Sequence, residues 1–449
     1  MKTVIRPETE MKDSGVEWIK YVPENWNCMP LKRYFQFGKG LPITKADLTE
    51  NGEKVISYGQ IHAKFNTGVS VDDRLIRFVS SEYKSTNPNS LCSKGDIILA
   101  DTSEDKEGCG NAVYIDCDEK IFAGYHTIIL KSTKDNKYLA YLFQSDSWRT
   151  QIQTRVNGVK LFSITQKILN QCTIILPPLS EQQAIADYLD ETCSKIDEII
   201  AEAKASIDEY KELKKSVITN ITTHGLRDVS LINSGNMDIG MIPDTWSICK
   251  TLYGLAMPIT DGPHVTPELL DDGIAFISAE AVSCGRGSID FNHMRGYISE
   301  EFYNECCKKY VPQRDDIYMI KSGATTGTVS IVDTDRKFTI WSPLAVFRVN
   351  RDRLNPRYLF YFLQSKPYQQ QVQLGWTFGT QQNIGMRTLE QLKICLPPLG
   401  EQAEIVEYLD NKLPQIDSLI AEKESLINDL EAYKKSLIYE VVTGKRRVV

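Results

Sequence analysis

The sequence predicts an α+β protein built from two mixed α/β domains related by a pseudo-twofold axis and two long helices that pair as a coiled coil. Two observations predict this class. The chain repeats itself at a constant offset of 220 residues, with 21 of 45 positions identical between residues 174–218 and 394–438. Both repeated tails carry apolar residues at steps of three and four, as a helix with one buried face requires. A unit written twice in one chain favours a pseudo-dimer.

The divergent parts of the repeat, residues 1–179 and 238–398, are predicted to form the two mixed domains. Short apolar runs bounded by turn residues, such as residues 96–100 and 316–320, predict strands. A short amphipathic helix is expected within each domain, near residues 138–148 and near residues 356–368. Both copies also place a tryptophan close behind a proline, at Trp26 and Trp246, and these are predicted core anchors.

The long helices are predicted over residues 180–224 and 399–444. Each follows a Leu-Pro-Pro-Leu segment, whose prolines end the preceding strand and favour an extended entry. Gly225 follows the first helix and Gly444 is the last residue of the second, and both suit a helix stop. Pro414 lies early in the second helix and is expected to bend it.

The apolar stripe of each predicted helix is expected to form a coiled-coil interface. An alternative stays open, in which each helix packs only on its own domain. The predicted interface residues are Ile185, Leu189, Ile196, Ile199, Ile207, Tyr210, Leu213 and Val217 on the first helix, and Ile405, Leu409, Ile416, Leu419, Leu426, Leu430, Tyr433 and Leu437 on the second.

Two further segments complete the predicted organisation. Residues 225–237 are polar and rich in glycine, so they are predicted to be a linker between the repeats. Residues 445–449 form a short basic tail.

The formal net charge of −7 gives no global support for nucleic-acid binding, but its distribution leaves room for it. Residues 180–225 carry 5 basic and 10 acidic side chains, and residues 400–449 carry 7 and 10. The acidic excess therefore lies mostly in the two predicted helices. The two large domains are near neutral and can bind DNA through a local basic surface.

Cysteine usage and hydropathy exclude several classes of protein. The 11 cysteines are odd in number and form no Cys-x-x-Cys pair, which argues against a disulfide framework and against a zinc site. No run approaches 18 apolar residues, and the first ten residues lack the apolar core of a signal peptide. We therefore expect a cytoplasmic protein without a membrane span.

Several segments resemble the specificity subunits of type I restriction–modification systems, the HsdS family. The head, residues 13–26, reads DSGVEWIKYVPENW and is similar to the start of these subunits. The Leu-Pro-Pro-Leu-x-Glu-Gln segment that leads into a long helix is present twice, which is the strongest part of the likeness. The loops ITDGPH (residues 259–264) and KSGATTG (residues 321–327) also resemble recurring loops of the family.

The resemblance implies a function for each part of the chain. Each mixed domain would be a target recognition domain that reads one half of a bipartite, asymmetric DNA site. The long helices would pair antiparallel, separate the domains and dock two modification (adenine methyltransferase) subunits, and restriction (motor-nuclease) subunits would join them. S-adenosylmethionine, ATP and Mg would belong to those partners, with no cofactor in this chain. Residues 101–110 depart from the pattern, because they lack the Gly-Ala-Thr-Thr-Gly form of residues 323–327.

A search for catalytic motifs supports a non-enzymatic protein. The Pro-Pro pairs are preceded by leucine, whereas amino methyltransferases need Asn or Asp there, and no phosphate-binding G-x-x-x-x-G-K-[ST] loop occurs. Asp96, Glu104 and Lys106 mimic a nuclease motif, but Asp316 lacks the equivalent Glu-x-Lys. A coiled-coil, sequence-specific DNA-binding protein without enzymatic partners remains the alternative.

Candidate DNA-contacting residues lie in loops that combine glycine with basic and amide side chains. Lysines suit phosphates, and Gln or Asn suit adenine edges. The candidates of the first domain are Lys39, Lys45, Tyr58, Gln60, His62, Arg155, Asn157 and Lys160, and those of the second are His264, Thr266, Lys321, Thr325, Thr326, Gln381, Gln382, Asn383 and Arg387.

Overall fold

A computed structural model describes the whole chain except Met1, Thr133, Asp135, Val159, Gly379, Thr380 and the side chain of Phe378. The chain divides into two compact units. Unit 1 comprises Met1–Ala203 and Ser425–Val449, and unit 2 comprises Lys204–Glu424. The division falls within both long helices, so each unit contains one segment of each. Both units mix helix and sheet, as the sequence predicts.

Unit 1 is organised around two four-stranded sheets. One is antiparallel with strand order β11-β9-β13-β5, and the other has the order β7-β6-β12-β8 with β6 and β12 parallel. The strands in chain order are β1 (Thr3–Ile5), β2 (Met11–Asp13), β3 (Tyr21–Pro23), β4 (Asn27–Pro30), β5 (Gln36–Lys39), β6 (Glu53–Ile56), β7 (Arg77–Val79), β8 (Leu91–Cys92), β9 (Ile97–Ala100), β10 (Thr102–Ser103), β11 (Ala112–Tyr114), β12 (Ile121–Ala123), β13 (Thr127–Lys131), β14 (Phe162–Ser163) and β15 (Thr173–Leu176).

Unit 2 repeats this plan with fewer strands. Its antiparallel sheet has the order β19-β25-β22-β23, and its second sheet has the order β21-β20-β24 with β20 and β24 parallel. The strands are β16 (Leu231–Asn233), β17 (Met241–Pro243), β18 (Ser247–Lys250), β19 (Thr260–Asp261), β20 (Ile274–Ile277), β21 (Gly296–Ile298), β22 (Ile317–Ile320), β23 (Val329–Ile331), β24 (Phe338–Ile340), β25 (Leu344–Phe347), β26 (Thr377–Phe378), β27 (Gln382–Asn383) and β28 (Lys393–Leu396). The predicted strands at residues 96–100 and 316–320 are confirmed as the fully buried β9 and β22.

The short helices lie between and beside these strands. Each domain contains two consecutive helices where the sequence predicts one, because the chain breaks at Ser145 and at Ser365. Ser145 accepts a hydrogen bond from the Trp148 amide, as an N-cap does, and so begins a new helix. The short helices are α1 (Tyr58–Ile61), α2 (Tyr83–Thr86), α3 (Lys137–Gln144), α4 (Asp146–Gln153) and α5 (Gln166–Leu169) before the first long helix, and α7 (Ala279–Cys284), α8 (Glu300–Cys307), α9 (Pro356–Gln364), α10 (Lys366–Leu374) and α11 (Met386–Gln391) after it.

The two long helices are α6 (Leu179–His224) and α12 (Leu399–Val442). Helix α6 ends as predicted directly before Gly225, and α12 ends two residues before Gly444; both glycines have positive φ, +78° and +73°. Pro414 does not end α12, which continues through it as one helix. None of the described helices combines the length and hydrophobicity needed to cross a bilayer.

The buried side of each long helix follows a strict heptad pattern, with steps that alternate between four and three residues. Buried or half-buried residues on this side are Leu189, Cys193, Ile196, Ile200, Ala203, Ile207, Tyr210, Lys214, Val217 and Ile221 on α6, and Leu409, Leu413, Ile416, Ile420, Lys423, Ile427, Leu430, Lys434, Leu437 and Val441 on α12. We call these two rows the seam. Ile185 and Ile405 are also buried, one turn before it.

Five predicted interface residues are corrected by this pattern. Ile199, Leu213, Leu419, Leu426 and Tyr433 are exposed, each immediately before the residue that occupies the seam. At two of these places the seam residue is a lysine, Lys214 or Lys434. A lysine can pack its aliphatic stem along apolar surface while its ammonium group reaches out. A search for apolar residues therefore selects the wrong neighbour.

Segments of α6 and α12 run antiparallel within each unit. In unit 1, Lys434 forms an ion pair with Asp197 at 2.7 Å, while Leu189 near the start of α6 shares a core cluster with Leu437 and Val441 near the end of α12. In unit 2, Lys214 forms the same ion pair with Asp417 at 2.7 Å. These two ion pairs are equivalent under the 220-residue offset.

In each unit a buried tryptophan and a buried tyrosine connect the ends of the long helices to the domain. These residues also repeat at the 220-residue offset. Trp26 and Trp246 are buried, as predicted, and donate Nε1 hydrogen bonds to Glu181 (3.0 Å) and Glu401 (2.9 Å). The hydroxyl of buried Tyr138 lies 3.0 Å from the Ile175 carbonyl oxygen and 2.9 Å from that of Val442. Tyr138 therefore joins the last turn of α12 to strand β15 in unit 1.

Replacing Tyr138 with Phe should destabilise unit 1, because two buried carbonyl groups lose their shared donor. We expect a loss of about 1–3 kcal/mol in the free energy of unfolding, measured by urea denaturation of the full chain. Tyr21 is exposed, so Tyr21→Phe is the matched control and should leave the transition unchanged. Equal shifts for the two variants would contradict a specific role for the Tyr138 hydroxyl.

The predicted linker and basic tail contain regular structure. Residues 225–237 contain β16, which pairs with β17 just after this segment. They also contain Arg227, which forms an ion pair with Glu404 of α12 at 2.8 Å. The tail contains β29 (Arg446–Val448), which pairs antiparallel with β1. Arg446 also pairs with Glu440 at 2.9 Å, so this basic residue is engaged within unit 1.

Candidate nucleic-acid interface

The two sheets of unit 1 bring several loops to a common rim. Strands β5 and β9 are antiparallel to β13, so both end beside its first residues. The parallel strands β6 and β12 also end on one side of their sheet. The two sheets are joined at this rim by backbone hydrogen bonds from Leu41 N to Ala123 O (2.8 Å) and from Tyr58 N to Tyr125 O (3.3 Å). We call the rim formed by Lys39, Tyr58, Asp101, Tyr125 and His126 the first edge.

A cleft of about 610 Å³ opens at the first edge and contains side chains of different chemistry. Lys39, Asp101, Tyr125, His126 and Gln166 are among the residues that line it. Of these, the sequence had singled out only Lys39. Lys45, also a candidate, is exposed in the following loop, at the start of a short 3-10 helix that Thr44 caps.

Three candidates of the first domain are engaged within the protein. His62 uses both ring nitrogens, with Nε2 2.8 Å from the Thr102 carbonyl oxygen and Nδ1 3.1 Å from Asn111 Nδ2. Gln60 accepts a hydrogen bond from Ser57 N at 3.1 Å as part of a capping box. The Arg155 guanidinium lies 5.4 Å from the Trp18 ring centroid and donates to the end of α4.

The remaining candidates of the first domain, Asn157 and Lys160, are exposed in the loop before β14. This loop lies near the first edge in the fold, because β14 pairs with β10 directly after β9. In addition, Ile164 N donates to Asp101 O at 2.7 Å.

Asp101, Tyr125 and His126 are residues that sequence reasoning missed. Asp101 directly follows β9, whereas Tyr125 and His126 lie in the turn between β12 and β13, and only the pairing of these strands makes the three residues neighbours. His126 carries one unusual feature, a φ of +55° in a residue other than glycine. The available sequence signal was weak: an aromatic-polar pair, Tyr125-His126, between two apolar strands.

Unit 2 forms an equivalent rim, the second edge, from Asp261, Ser278, Lys321, Trp341 and Pro343. Trp341 N donates to Ile277 O at 2.9 Å and Lys321 N donates to Pro343 O at 2.8 Å, so the loops after β20, β22 and β24 meet there. The Trp341 ring is also covered by the Arg295 guanidinium, 3.7 Å from its centroid. Neither Trp341 nor Arg295 was a candidate from sequence.

A buried carboxylate organises the basic groups of the second edge. The side chain of Asp261 is only 1% exposed and forms an ion pair with Lys309 through Oδ1. Its Oδ2 lies 3.3 Å from Lys321 Nζ and 3.1 Å from His264 Nε2, without a hydrogen bond of good geometry to either. Burial opposes ionisation of Asp261, but the hydrogen bond and charge of Lys309 and the charge of Lys321 outweigh it and lower the pKa.

Two candidates, Lys321 and His264, are therefore brought together by an aspartate that the sequence did not single out. His264 stays largely exposed, whereas Lys321 is mostly buried against Asp261. Thr266 is exposed in the same loop as His264. The cluster thus presents the ammonium group of Lys309 and the imidazole of His264 at its surface.

The other candidates of the second domain gather around a small hairpin. Gly323 N donates to Gln382 O at 3.0 Å and Ile384 N donates to Lys321 O at 2.9 Å, which fixes the hairpin of β26 and β27 beside the 321–327 loop. Thr326 donates its hydroxyl to Gly323 O at 2.7 Å. The exposed members of the group are Thr325, Gln381, Asn383 and Arg387, with Gln382 half-buried.

The two edges share a backbone framework but differ in side-chain chemistry. Asp101 N donates to His126 O at 3.0 Å in unit 1, as Lys321 N does to Pro343 O in unit 2. These two hydrogen bonds align Asp101 of the first domain with Lys321 of the second, so an acidic residue in one domain occupies the position of a basic residue in the other. Two surfaces of the same architecture therefore present different hydrogen-bonding groups.

The nuclease-like motif of the first domain does not form a metal site in the described residues. Asp96 is buried and accepts backbone hydrogen bonds from Ser93 (2.9 Å) and Ser132 (3.0 Å), whereas Glu104 and Lys106 are exposed in a loop. Among the described residues, no cluster of three or more His, Cys, Asp or Glu side chains could hold a metal ion.

Comparison with known proteins identifies relatives along most of the chain. The family model of the type I restriction modification DNA specificity domain matches residues 23–209 and 273–431. The MjaVIII type I restriction enzyme specificity subunit of Methanocaldococcus jannaschii is 24% identical over 439 residues, covering 95% of this chain and 94% of the relative. The EcoBI specificity subunit of Escherichia coli is 23% identical over 326 residues, covering 71% of this chain and 67% of the relative.

Solved structures share the fold. A chain from a study of complex assembly and conformational transition in the type I R-M system has a TM-score of 0.68 and 18% identity, covering 94% of this chain and 99% of that one. The HsdS subunit of Thermoanaerobacter tengcongensis has a TM-score of 0.51 and 17% identity, covering 94% and 98%. Because the family model matches both copies of the repeat and more than half of the residues, this chain belongs to the type I restriction–modification DNA specificity family.

Proposed function

We propose that this protein is the DNA specificity subunit of a type I restriction–modification complex. The first and second edges each read one half of a bipartite, asymmetric DNA site, and the chain itself catalyses no reaction. Two modification subunits bind S-adenosylmethionine and methylate adenine, and restriction subunits that use ATP and Mg join them. The observation that carries this proposal is the pair of edges with one backbone framework and different side-chain chemistry.

The chemistry of the edges suits direct reading of bases. A protein distinguishes base edges in the major groove by their hydrogen-bond donors and acceptors, and it binds phosphates with positively charged side chains. The first edge offers a carboxylate, an imidazole and a lysine, at Asp101, His126 and Lys39. The second offers exposed amides at Gln381 and Asn383 beside the basic cluster around Asp261. The two edges would therefore select different bases, as an asymmetric site requires.

The long helices provide a surface for partners. Ile199 on the unit 1 segment of α6 and Leu213 on its unit 2 segment point away from the seam and stay exposed. On α12, Leu419, Leu426 and Tyr433 are exposed at steps of seven residues, and a continuous apolar row of this kind marks a protein–protein contact. We infer that the outer faces of the helices bind the modification subunits, whose methyltransferase activity the chain would direct to its DNA site.

The proposal is tested by reconstitution. The purified chain should transfer no methyl group from S-adenosylmethionine to DNA, and addition of the modification subunits should give methylation at one bipartite motif. Methylation by the purified chain alone would contradict the non-catalytic role. Specific DNA binding without capture of a modification subunit would favour the alternative, a DNA-binding protein without enzymatic partners.

Asp261 provides a second test, because positioning and simple electrostatics predict opposite results. If Asp261 positions Lys309, Lys321 and His264 for a phosphate, Asp261→Asn should weaken DNA binding by about tenfold, although it removes a negative charge. If Asp261 only offsets charge, the variant should bind DNA more tightly. Fluorescence anisotropy over a range of salt concentrations distinguishes the two results.

A matched control for this test is Asp335→Asn. Asp335 is exposed, forms an ion pair with Arg314 at 2.7 Å and lies just before the start of β24, at the opposite end of that strand from the second edge. The control removes the same charge from the same unit and should leave DNA affinity within about twofold of the unaltered chain, because it lies away from the proposed phosphate contacts. A similar weakening in both variants would contradict a positioning role for Asp261.

A further inference from the structure

The turn that precedes β13 holds a histidine in a backbone conformation that most residues avoid. His126 has a φ of +55°, in the left-handed region that is strained for residues with a side chain. Its carbonyl oxygen accepts a hydrogen bond from Asp101 N at 3.0 Å, which ties the turn to the end of β9. Strained residues of this kind persist where the surroundings fix them, and they concentrate at functional sites.

The His126 ring is positioned from several directions but remains open on one side. Its side chain is 57% exposed, and Nδ1 lies 3.4 Å from Asp101 Oδ1. The rings of Tyr58 and Tyr125 contact it edge-on, with centroid distances of 5.3 and 6.1 Å. Asp101 Oδ1 is itself oriented by a hydrogen bond of 2.8 Å from the Thr102 hydroxyl. An exposed imidazole is thus held in one place at the first edge.

The second domain lacks this arrangement. At the position equivalent to His126 it has Pro343, whose ring fixes φ near −65° and cannot adopt the conformation of His126. At the position equivalent to Asp101 it has Lys321, which is paired with Asp261. The His126–Asp101 pair therefore has no counterpart at the equivalent positions of the second edge, where the His–Asp contact is made by His264 and Asp261 from other positions.

We infer that His126 and Asp101 are a specificity-determining pair that reads an exocyclic amino group of a base in the first half-site. This inference rests on the proposed function. In the tautomer that carries its proton on Nδ1, which faces the Asp101 carboxylate, Nε2 is a hydrogen-bond acceptor. The carboxylate is an acceptor as well. In the major groove the donors that match acceptors are the amino groups of adenine N6 and cytosine N4.

The experiment measures base discrimination by the chain in complex with its modification subunits. Duplexes carry each of the four bases in turn at every specified position of both half-sites. At one position of the first half-site, the unaltered complex should prefer adenine or cytosine. His126→Gly, which relieves the backbone strain but removes the ring, should reduce discrimination there by about tenfold or more. Asp101→Asn should act at the same position, since it removes the charge that orients the ring.

The two possible bases are distinguished with analogues that lack the amino group. If the base is adenine, a purine without its 6-amino group should bind the unaltered complex as weakly as a mismatch. If it is cytosine, a pyrimidinone without the 4-amino group should do so. Both variants should be insensitive to the relevant analogue, because the acceptor that contacts the amino group is lost or no longer oriented.

Discrimination at the second half-site is the internal control, because it should be the same in the variants and in the unaltered complex. It also shows that the variants are folded. Unchanged discrimination at every first-half position in both variants, or a change at the second half-site, would overturn the inference and leave the proposed function intact. Absence of base preference in the unaltered complex would overturn the proposed function, and the inference with it.

Discussion

A chimera in which residues 238–393 come from a relative should methylate a motif with one altered half and one unchanged half. This exchange replaces the second edge, including Asp261, Lys321 and the β26–β27 hairpin, but keeps the first edge and both long helices. Because each edge is built from strands of its own unit, no base contact of the first half-site should be lost. The motif is read by mapping methylated adenines in cells that carry the chimera and its modification subunits.

The reciprocal exchange is the matched control. Residues 18–173 correspond to residues 238–393 at the 220-residue offset, and their replacement should change only the other half of the motif. Both chimeras must keep the contacts at the helix ends. The donor of residues 238–393 should therefore carry equivalents of Trp246 and of Tyr358, whose hydroxyl lies 3.1 Å from the Thr222 carbonyl oxygen, and the donor of residues 18–173 equivalents of Trp26 and Tyr138. A change in both halves after either single exchange would show that the two domains do not read DNA independently.

Two adjacent isoleucines of α6 should respond very differently to the same substitution. Ile200 is 7% exposed in the seam, whereas Ile199 is 45% exposed on the outer face. Ile200→Asp places an unpaired carboxylate in the seam and removes a buried side chain, so we expect a loss of about 3–5 kcal/mol in the free energy of unfolding. Ile199→Asp should change it by about 0.5 kcal/mol or less. Chemical denaturation of the full chain compares the two variants.

Ile199→Asp also tests the proposed partner surface, because stability and assembly are separate measurements. We expect this variant to fold normally but to bind its modification subunit more weakly in a pull-down or calorimetric titration. Leu419 and Ile420 are the equivalent neighbours on the unit 2 segment of α12 and provide an independent repeat. Equal destabilisation by Ile199→Asp and Ile200→Asp would contradict the heptad assignment of the seam.

Much of the fold follows from patterns that are local in sequence. Apolar runs at residues 97–100 and 317–320 are buried strands, and each long helix ends just before the glycine that the sequence indicates. The seam itself was predicted only in part. Lys214 and Lys434 occupy it because a lysine stem is long enough to pack there while its ammonium group reaches an aspartate, and hydrophobicity alone does not identify such residues.

The candidate site was less accessible to sequence reasoning than the fold. Loop composition selected Lys39 and Lys321, which lie at the two edges. It also selected His62, whose ring nitrogens are both used inside unit 1, and it missed Asp101 and His126. Whether a loop side chain is free or engaged depends on neighbours from other strands, and strand order is not encoded in any local pattern.

The sequence by itself determined the doubled architecture, the two long helices and the family, because repeats, periodicity and glycine stops are properties of consecutive residues. The tertiary structure alone decided which side chains meet at each edge. Asp101 and His126 are 25 positions apart, and Asp261 is 60 positions from Lys321. They become neighbours because the strands pair. Strand β9 pairs antiparallel with β13, and β22 and β19 both pair antiparallel with β25, which places the ends of distant strands side by side.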